Sequence, residues 1–365
     1  SVQVYQPRGT FNGTQILSEN DLDAAAYLGQ PNTTIYTEVQ PVINGVVYEG
    51  TAAQDGDTIN VEPGTYNDSV AIDTAGVTIK GPNADQAGSS TARTEEAIIS
   101  GQVDIGASNV TVTGVQVTPD TKTFEGKPAA AVYVAASDAT VENTRVGDFA
   151  VNITEIGVSS VQGIQIYSAN TELTDVVVRN NSVENVSYEG SSQAPDGDFG
   201  TDYGNLYGIH VQGEISDATV ERNSLRDLSS DGYVLGTAVS GTDSDPDGTP
   251  ENIVVERNTF QNLSAEGAPA TAFVVSSDRV DVSSLSISGN TFETPVAVAS
   301  GASETVDATL NYFGNTTPTV QGDVAYDPFL TVGPDEVDAE SLDETTQFGH
   351  EHPVALERTD RVGVR

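Results

Sequence analysis

The chain contains no cysteine, so neither disulfides nor thiolate metal sites contribute to it. Lysine is nearly absent as well: Lys80, Lys122 and Lys127 are the only three, among 14 basic residues set against 54 acidic ones, for a formal charge of -40. Such a balance repels nucleic acid and anionic lipid, so neither is expected as a partner. The acids are spread along the chain rather than clustered, as on an acidic surface solvated in high salt; the other reading is cation binding. No stretch is long or apolar enough to span a membrane, and no signal peptide is visible. The chain begins at Ser1 without Met. An exported protein whose signal has been removed begins that way, and so does a chain that has lost an initiator Met.

What the chain does have is an internal repeat. A short phrase returns as Val141-Glu-Asn-Thr-Arg-Val146, Val178-Arg-Asn-Asn-Ser-Val183, Val220-Glu-Arg-Asn-Ser-Leu225, Val255-Glu-Arg-Asn-Thr-Phe260 and Ile287-Ser-Gly-Asn-Thr-Phe292. An apolar residue opens each copy, Asn or Thr follows three places on, and a second apolar residue two places later. The openers at 141, 178, 220, 255 and 287 are thus 37, 42, 35 and 32 residues apart. A coil of short strands tolerates such unevenness by growing its turns, whereas helical repeats hold their period more strictly. Between the copies lies a second ladder of strand-like runs: Val132-Tyr-Val134, Ile164-Gln-Ile166, Ile209-His-Val211, Ala238-Val-Ser240, Phe273-Val-Val275 and Val296-Ala-Val298. Stacked rungs would pair each strand with its equivalents above and below, and inward Asn side chains at the bends would bond the backbone and each other. An ordinary β-sandwich with Asn and Gly at its turns gives no reason for one phrase to return five times.

On these residues the chain resembles the right-handed parallel β-helix proteins of pectin-lyase-like architecture. Asp55-Gly-Asp-Thr-Ile-Asn-Val-Glu-Pro-Gly-Thr-Tyr66 with Val77-Thr-Ile-Lys-Gly81 looks like an entry rung, and Asn311-Tyr-Phe-Gly-Asn315 with Asp323-Val-Ala-Tyr-Asp-Pro-Phe329 like a closing one. The resemblance implies an all-β fold, a single-stranded right-handed parallel β-helix with a short N-terminal capping helix and an irregular C-terminal tail. It implies little about activity, because this architecture hosts lyases, hydrolases, epimerases, tail spikes and adhesins. The acidity resembles that of proteins from extremely halophilic archaea.

Three regions follow: an N-terminal cap with entry strands over 1–54, the β-helix over 55–330 and an acidic-then-basic tail over 331–365. Within the cap, Ser18-Glu-Asn-Asp21 offers a helix start, and Gly29-Gln-Pro31 a stop, for a helix that would cover the open end of the coil. The tail's basic end could dock on an acidic neighbour, so self-association through it, or as a trimer, is one expectation. Nine Asn-x-Ser/Thr sequons permit glycosylation in an exported protein, and one of them, Asn180, is read as part of the inward ladder.

Segments 147–162, 184–206, 226–237 and 261–271 all fall between the Asn phrase and the next ladder strand, and read as insertions walling a groove. Tyr133, Gln165 and His210 are turned outward by alternation, beside loop residues Tyr188, Asp198, Asp202, Tyr203, Asp231 and Tyr233. Aromatic faces beside acids and amides suit a polysaccharide, whose C–H faces stack on rings and whose hydroxyls bond polar groups. Tyr133, Gln165, Tyr188, Tyr203 and Tyr233 are therefore the candidate ligand contacts. His210, the only His within the repeats, is the candidate general base, with Asp198, Asp202 or Asp231 holding a uronate through a bound cation. The alternative is a surface His without a role, and neither the paired-Asp pattern of polygalacturonases nor the Arg/Lys cluster of a pectate-lyase base is present. Asp243, Asp245 and Asp247 alternate before Gly248 like the opening of a calcium loop, but position twelve is Val254 rather than Glu. Calcium is thus the one cofactor suggested, against a plain solvated turn.

Two classes of function follow. The first is an extracellular, cell-surface or virion-surface protein that binds glycan or serves as a structural adhesin. The second is a polysaccharide lyase or hydrolase acting through His210. A tail-spike-like host-recognition protein is a form of either.

Overall fold

The computed structural model describes residues 13–16, 33–36, 38–44, 52–124, 129–152, 160–189, 205–242, 248–266, 269–276, 279–314, 318–334 and 348–349. Apart from three short helical turns, their regular structure is β. The chain passes in turn through three large sheets, each built of parallel strands. The first sheet has eight strands, from Thr58–Asn60 to Ser286–Ser288; the second has eight, from Gly64–Tyr66 to Thr291–Glu293. The third has nine, from Val70–Ile72 to Val320–Gln321. A middle rung reads Val177–Arg179, Ser182–Glu189, Asn205–Ser216, and each of these pairs with its equivalents one rung away on either side. This topology is compatible with a parallel β-helix.

The repeated phrase sets the register. Its openers Val141, Val178, Val220, Val255 and Ile287 are directly paired along the first sheet. Its second apolar residues Val146, Val183, Leu225, Phe260 and Phe292 are paired along the second. All ten are buried, and Phe260, Phe292 and Phe313 stack at 5.4 Å between successive ring centroids. Between the two columns runs a ladder of buried Asn181, Asn223, Asn258, Asn290 and Asn311. Each Nδ2 donates to the carbonyl of the opener one rung back, at 2.8–2.9 Å. In all but Asn311 it also donates to the Oδ1 of the Asn one rung on, at 3.0–3.1 Å. That Oδ1 accepts a backbone N–H as well, beginning with Thr144 N to Asn181 Oδ1 at 2.9 Å. The bend's buried polar groups are thereby satisfied without water.

Three expectations need correction. Asn180 is not part of the ladder. It has a positive φ of 55° and precedes Asn181, a position filled in other rungs by Asn143, Arg222, Arg257 and Gly289. Asn tolerates the left-handed region, so this sequon sits on the outside of the corner. Second, the supposed insertions begin as strand among the described residues: Arg145–Asn152, Ser182–Glu189, Ser224–Ser230 and Thr259–Ala265 are the long strands of the second sheet. Asp148, Asn185, Asp227 and Asn262, all with positive φ, interrupt their alternation at one level, which disguises them as loops. Third, the third sheet does not alternate strictly. Ala131 and Val132 are both in the core, and a Cβ at Gly163, Gly208 or Gly236 would meet the core side chains of Val183, Leu225 or Phe260 at 2.4–2.5 Å. Two adjacent residues therefore face inward, and small residues make room for the bend.

The helix expected over 18–28 lies outside the described residues. A single-turn helix, Gln40–Ile43, does meet the first rung: Val39, Val42 and Ile43 are in the core. The Gln40 side chain accepts from Ala71 N at 2.5 Å and donates to Ala71 O at 3.1 Å, on the last strand of the third sheet. Asp68 Oδ2 accepts from Val39 N and Gln40 N at 3.0 and 2.8 Å.

Candidate functional site

The outer face of the third sheet carries the sequence's candidates. Pairing places Asp104, Tyr133, Gln165, His210, Ala238, Val274 and Ala299 in one column across it. Because the double inward step separates two outward positions by three residues, a second column runs through Ala130, Gln162, Tyr207, Leu235, Thr271 and Val296. Toward high residue numbers this face is apolar and buried, with Leu235, Ala238, Val274, Val296 and Ala299 forming a cluster of their own against Tyr207. Toward low numbers it is polar and aromatic.

There an open cleft of about 270 Å³ is lined by Ala129, Tyr133, Ser160, Gln162, Gln165 and Tyr167. The rings of Tyr133 and Tyr167 stand 6.2 Å apart, tilted by 36°. Partial burial, with Tyr167 and the Asp104 carboxylate nearby, pushes the Tyr133 hydroxyl up to about 12, so it stays a neutral donor and acceptor at any working pH. Gln162 Nε2 donates to Ser160 Oγ at 3.0 Å and Gln165 Nε2 to Gln212 Oε1 at 3.3 Å, and no described hydrogen bond ends on either Oε1 of the lining pair. Two partly exposed rings and two largely buried amides line one cleft, which offers stacking faces and amide acceptors. Tyr133 and Gln165 were legible from alternation. Tyr167 shares the parity of Gln165 but stands just past the Ile164–Ile166 run; Gln162 and Ser160 have the opposite parity, although Gly163 inside a run of β-branched residues is the signal for a bend that brings Gln162 outward.

His210 is about as buried as the two amides, 5% exposed against 4% for Gln162 and 7% for Gln165; its ring is stacked on Tyr207 at 4.2 Å and 4°, with Nε2 2.9 Å from Ser240 Oγ. Among the described residues Nδ1 has no hydrogen-bond partner. Burial lowers its pKa from 6.5 to about 3, so the ring is neutral, and its conjugate acid is far too strong for an efficient base near neutrality. A Ser–His contact is present, but among the described residues no carboxylate orients the imidazole as a nucleophilic dyad requires.

The remaining candidates divide. Tyr188 is fully buried in the core, where burial pushes its hydroxyl up to about 12; a ring without exposure offers no stacking face to a ligand. Tyr233 is 5% exposed at the start of Tyr233–Ser240. Asp231 is exposed on the two-residue turn before it, its N–H donating to Tyr188 O at 3.3 Å. Asp198, Asp202 and Tyr203, and the alternating Asp243, Asp245 and Asp247, lie outside the described residues. Among the described residues no group of three His, Asp or Glu side chains could hold a metal ion. Glu184 is only 1% exposed, held on the second sheet between Arg145 and Arg226 of the neighbouring rungs, with Ser182 Oγ donating to its Oε2 at 3.0 Å. Among the described residues no helix is long and apolar enough to cross a membrane. No family model, curated protein or solved structure matches the chain, so its reading rests on this geometry.

Proposed function

We propose that this chain is a right-handed, pectin-lyase-like parallel β-helix that binds a glycan without cleaving it, displayed outside the cell by an organism of high-salt environments. The observation that carries the binding reading is the shelf of Tyr133, Tyr167, Gln162 and Gln165 on one cleft. Sugars present C–H faces to aromatic rings and hydroxyls to amide oxygens, and both are offered at fixed spacing on strands rather than on loops. The non-catalytic reading is favoured over a lyase or hydrolase by the low pKa of His210, which burial brings to about 3. High salt accounts for a charge of -40 spread along the chain, since dissolved ions screen its self-repulsion.

Titration of a panel of soluble oligosaccharides into the protein in molar potassium chloride tests the reading. Tyr133→Ala should weaken binding by about 2 kcal/mol, roughly thirtyfold, as expected for a central aromatic contact. His210→Gln should leave binding in place and no new reducing or unsaturated ends should appear with either protein. Turnover lost on replacing His210 would establish the enzyme instead.

A further inference from the structure

Resting on the glycan-binding reading, we propose that Gln212, which stands outside the cleft lining, is a positioning residue: it turns the Gln165 oxygen to the cleft, so that the shelf selects a free sugar hydroxyl over an etherified or esterified one. Gln165 is paired directly with His210 on the next rung, and Gln212 lies two residues further along that strand, paired with Tyr167. Alternation puts Gln165, Tyr167, His210 and Gln212 on the same outer face. The Gln165 amide reaches diagonally from its own strand to the next, its Nε2 donating to Gln212 Oε1 at 3.3 Å. His210, directly opposite Gln165, is engaged elsewhere, stacked on Tyr207 with Nε2 2.9 Å from Ser240 Oγ.

A primary amide has one donating end and one accepting end. With its nitrogen held by Gln212, Gln165 leaves its oxygen to the cleft that it lines. That oxygen accepts from a hydroxyl; an ether or ester oxygen in the same place brings a second acceptor and no proton. Gln165 is only 7% exposed, so a mismatched ligand would strip it of water without returning a bond, which is the condition under which one hydroxyl decides binding. The reversed pair, with Gln212 donating, would satisfy both side chains equally and turn the Gln165 nitrogen to the ligand. The direction of this one bond therefore decides which groups the shelf accepts.

The test uses linear trisaccharides of glucose, mannose and galactose, together with analogues in which each hydroxyl in turn is replaced by fluorine, which is polar and cannot donate. Each is titrated calorimetrically in molar potassium chloride into the wild-type chain, Tyr133→Ala, Gln165→Met, Gln212→Glu and Gln212→Met, with a urea midpoint recorded for every variant. At least one trisaccharide should bind in a Tyr133-dependent manner, and one of its fluorinated analogues should bind at least about tenfold more weakly. Gln212→Glu, whose carboxylate accepts and does not donate, should keep that penalty within about twofold. Gln212→Met, which cannot hold the amide, should reduce it to about threefold or less, as should Gln165→Met. Because Gln212 acts through Gln165, the double Met variant should lose no more than Gln165→Met alone. A penalty untouched by Gln212→Met would remove Gln212 from the explanation. One kept in Gln165→Met would place the selecting group elsewhere, and one lost in Gln212→Glu would mean that Gln212 donates. Each of these overturns the inference while leaving the shelf a glycan site, as does a wild-type chain that binds every analogue like its parent. If Tyr133→Ala changes the binding of no sugar, the glycan reading itself fails.

Discussion

Replacing Asn258 by Leu should cost this fold a large part of its stability, although the side chain touches no solvent and Leu is close to it in size. Asn258 is 0% exposed. Its Nδ2 donates to Val220 O at 2.9 Å and to Asn290 Oδ1 at 3.1 Å, and its Oδ1 accepts from Asn223 N at 2.9 Å and Asn223 Nδ2 at 3.0 Å. Asn290 Oδ1 would keep its second bond, from Asn258 N at 2.8 Å. The Asn223 backbone N–H and one N–H of the Asn223 amide would lose theirs inside the core, while the Val220 carbonyl, paired along its ladder, would lose only its second bond. At about 1–3 kcal/mol for each of the two stranded groups, the loss is about 2–6 kcal/mol, against a usual total of about 5–15 kcal/mol. Urea unfolding followed by circular dichroism, at a fixed molar concentration of potassium chloride, measures it. Rungs contact only their neighbours, so a break in the middle of the ladder should also split one transition into two. A loss below about 1 kcal/mol with an unchanged single transition would refute the reasoning. The bends would then be held by the stacked apolar columns on either side, with the amides incidental.

Three further outcomes follow from the geometry. Because burial lowers the His210 pKa to about 3 from an ordinary 6.5, the unfolded chain binds its proton first as pH falls. Stability contributed by the neutral ring is complete above about pH 6.5 and is lost toward pH 3, by up to about 1.4 kcal/mol per pH unit. The wild-type minus His210→Gln difference in unfolding free energy should show this slope; the subtraction removes the opposite trend of Glu62 and Asp68, whose carboxyl pKa values burial raises. Arg222→Asn should stabilise by about 0.5–1 kcal/mol, since Asn accepts the φ of 54° more readily than Arg does, and a rise in urea midpoint checks it. Gly236→Val should destabilise by about 1–3 kcal/mol or more, because even its Cβ would fall 2.5 Å from the Phe260 ring and from Ala272 O; an unchanged midpoint would mean that the rung can open there.

The rungs were legible because their signal is local and repeated: an apolar opener, Asn at the bend (Thr144 in the first copy) and a second apolar residue report the same geometry five times. The second sheet was hidden by Asp148, Asn185, Asp227 and Asn262, whose left-handed backbone breaks the alternation that marks a strand. A polar residue at such a level reads as loop, although its neighbours remain paired on both sides. One amide of the shelf was hidden for a related reason. Strict alternation gives Tyr133, Gln165 and Tyr167, but Gln162 faces out only because Gly163 lets two successive residues turn inward. The depth of His210 was not readable at all, since alternation distinguishes the two sides of a sheet and carries no information on whether the outer side is open. The same limit applies to Tyr188, which belongs to the core of a strand that the sequence presents as a loop.

The Gln40 amide on Ala71 bears on how such a chain behaves in brine. A stack of parallel strands has no natural length, because each last strand is a template for another. In dilute buffer a chain of charge -40 would be kept from its copies by repulsion at a distance, but that protection fades to a few ångströms in molar salt. What remains must act by contact. A primary amide has the donor and acceptor of one peptide group and none of its continuation, so it occupies the place where a foreign strand would begin to pair and offers that strand nothing to follow. The molecule would then stay finite in the medium that removes its electrostatic defence.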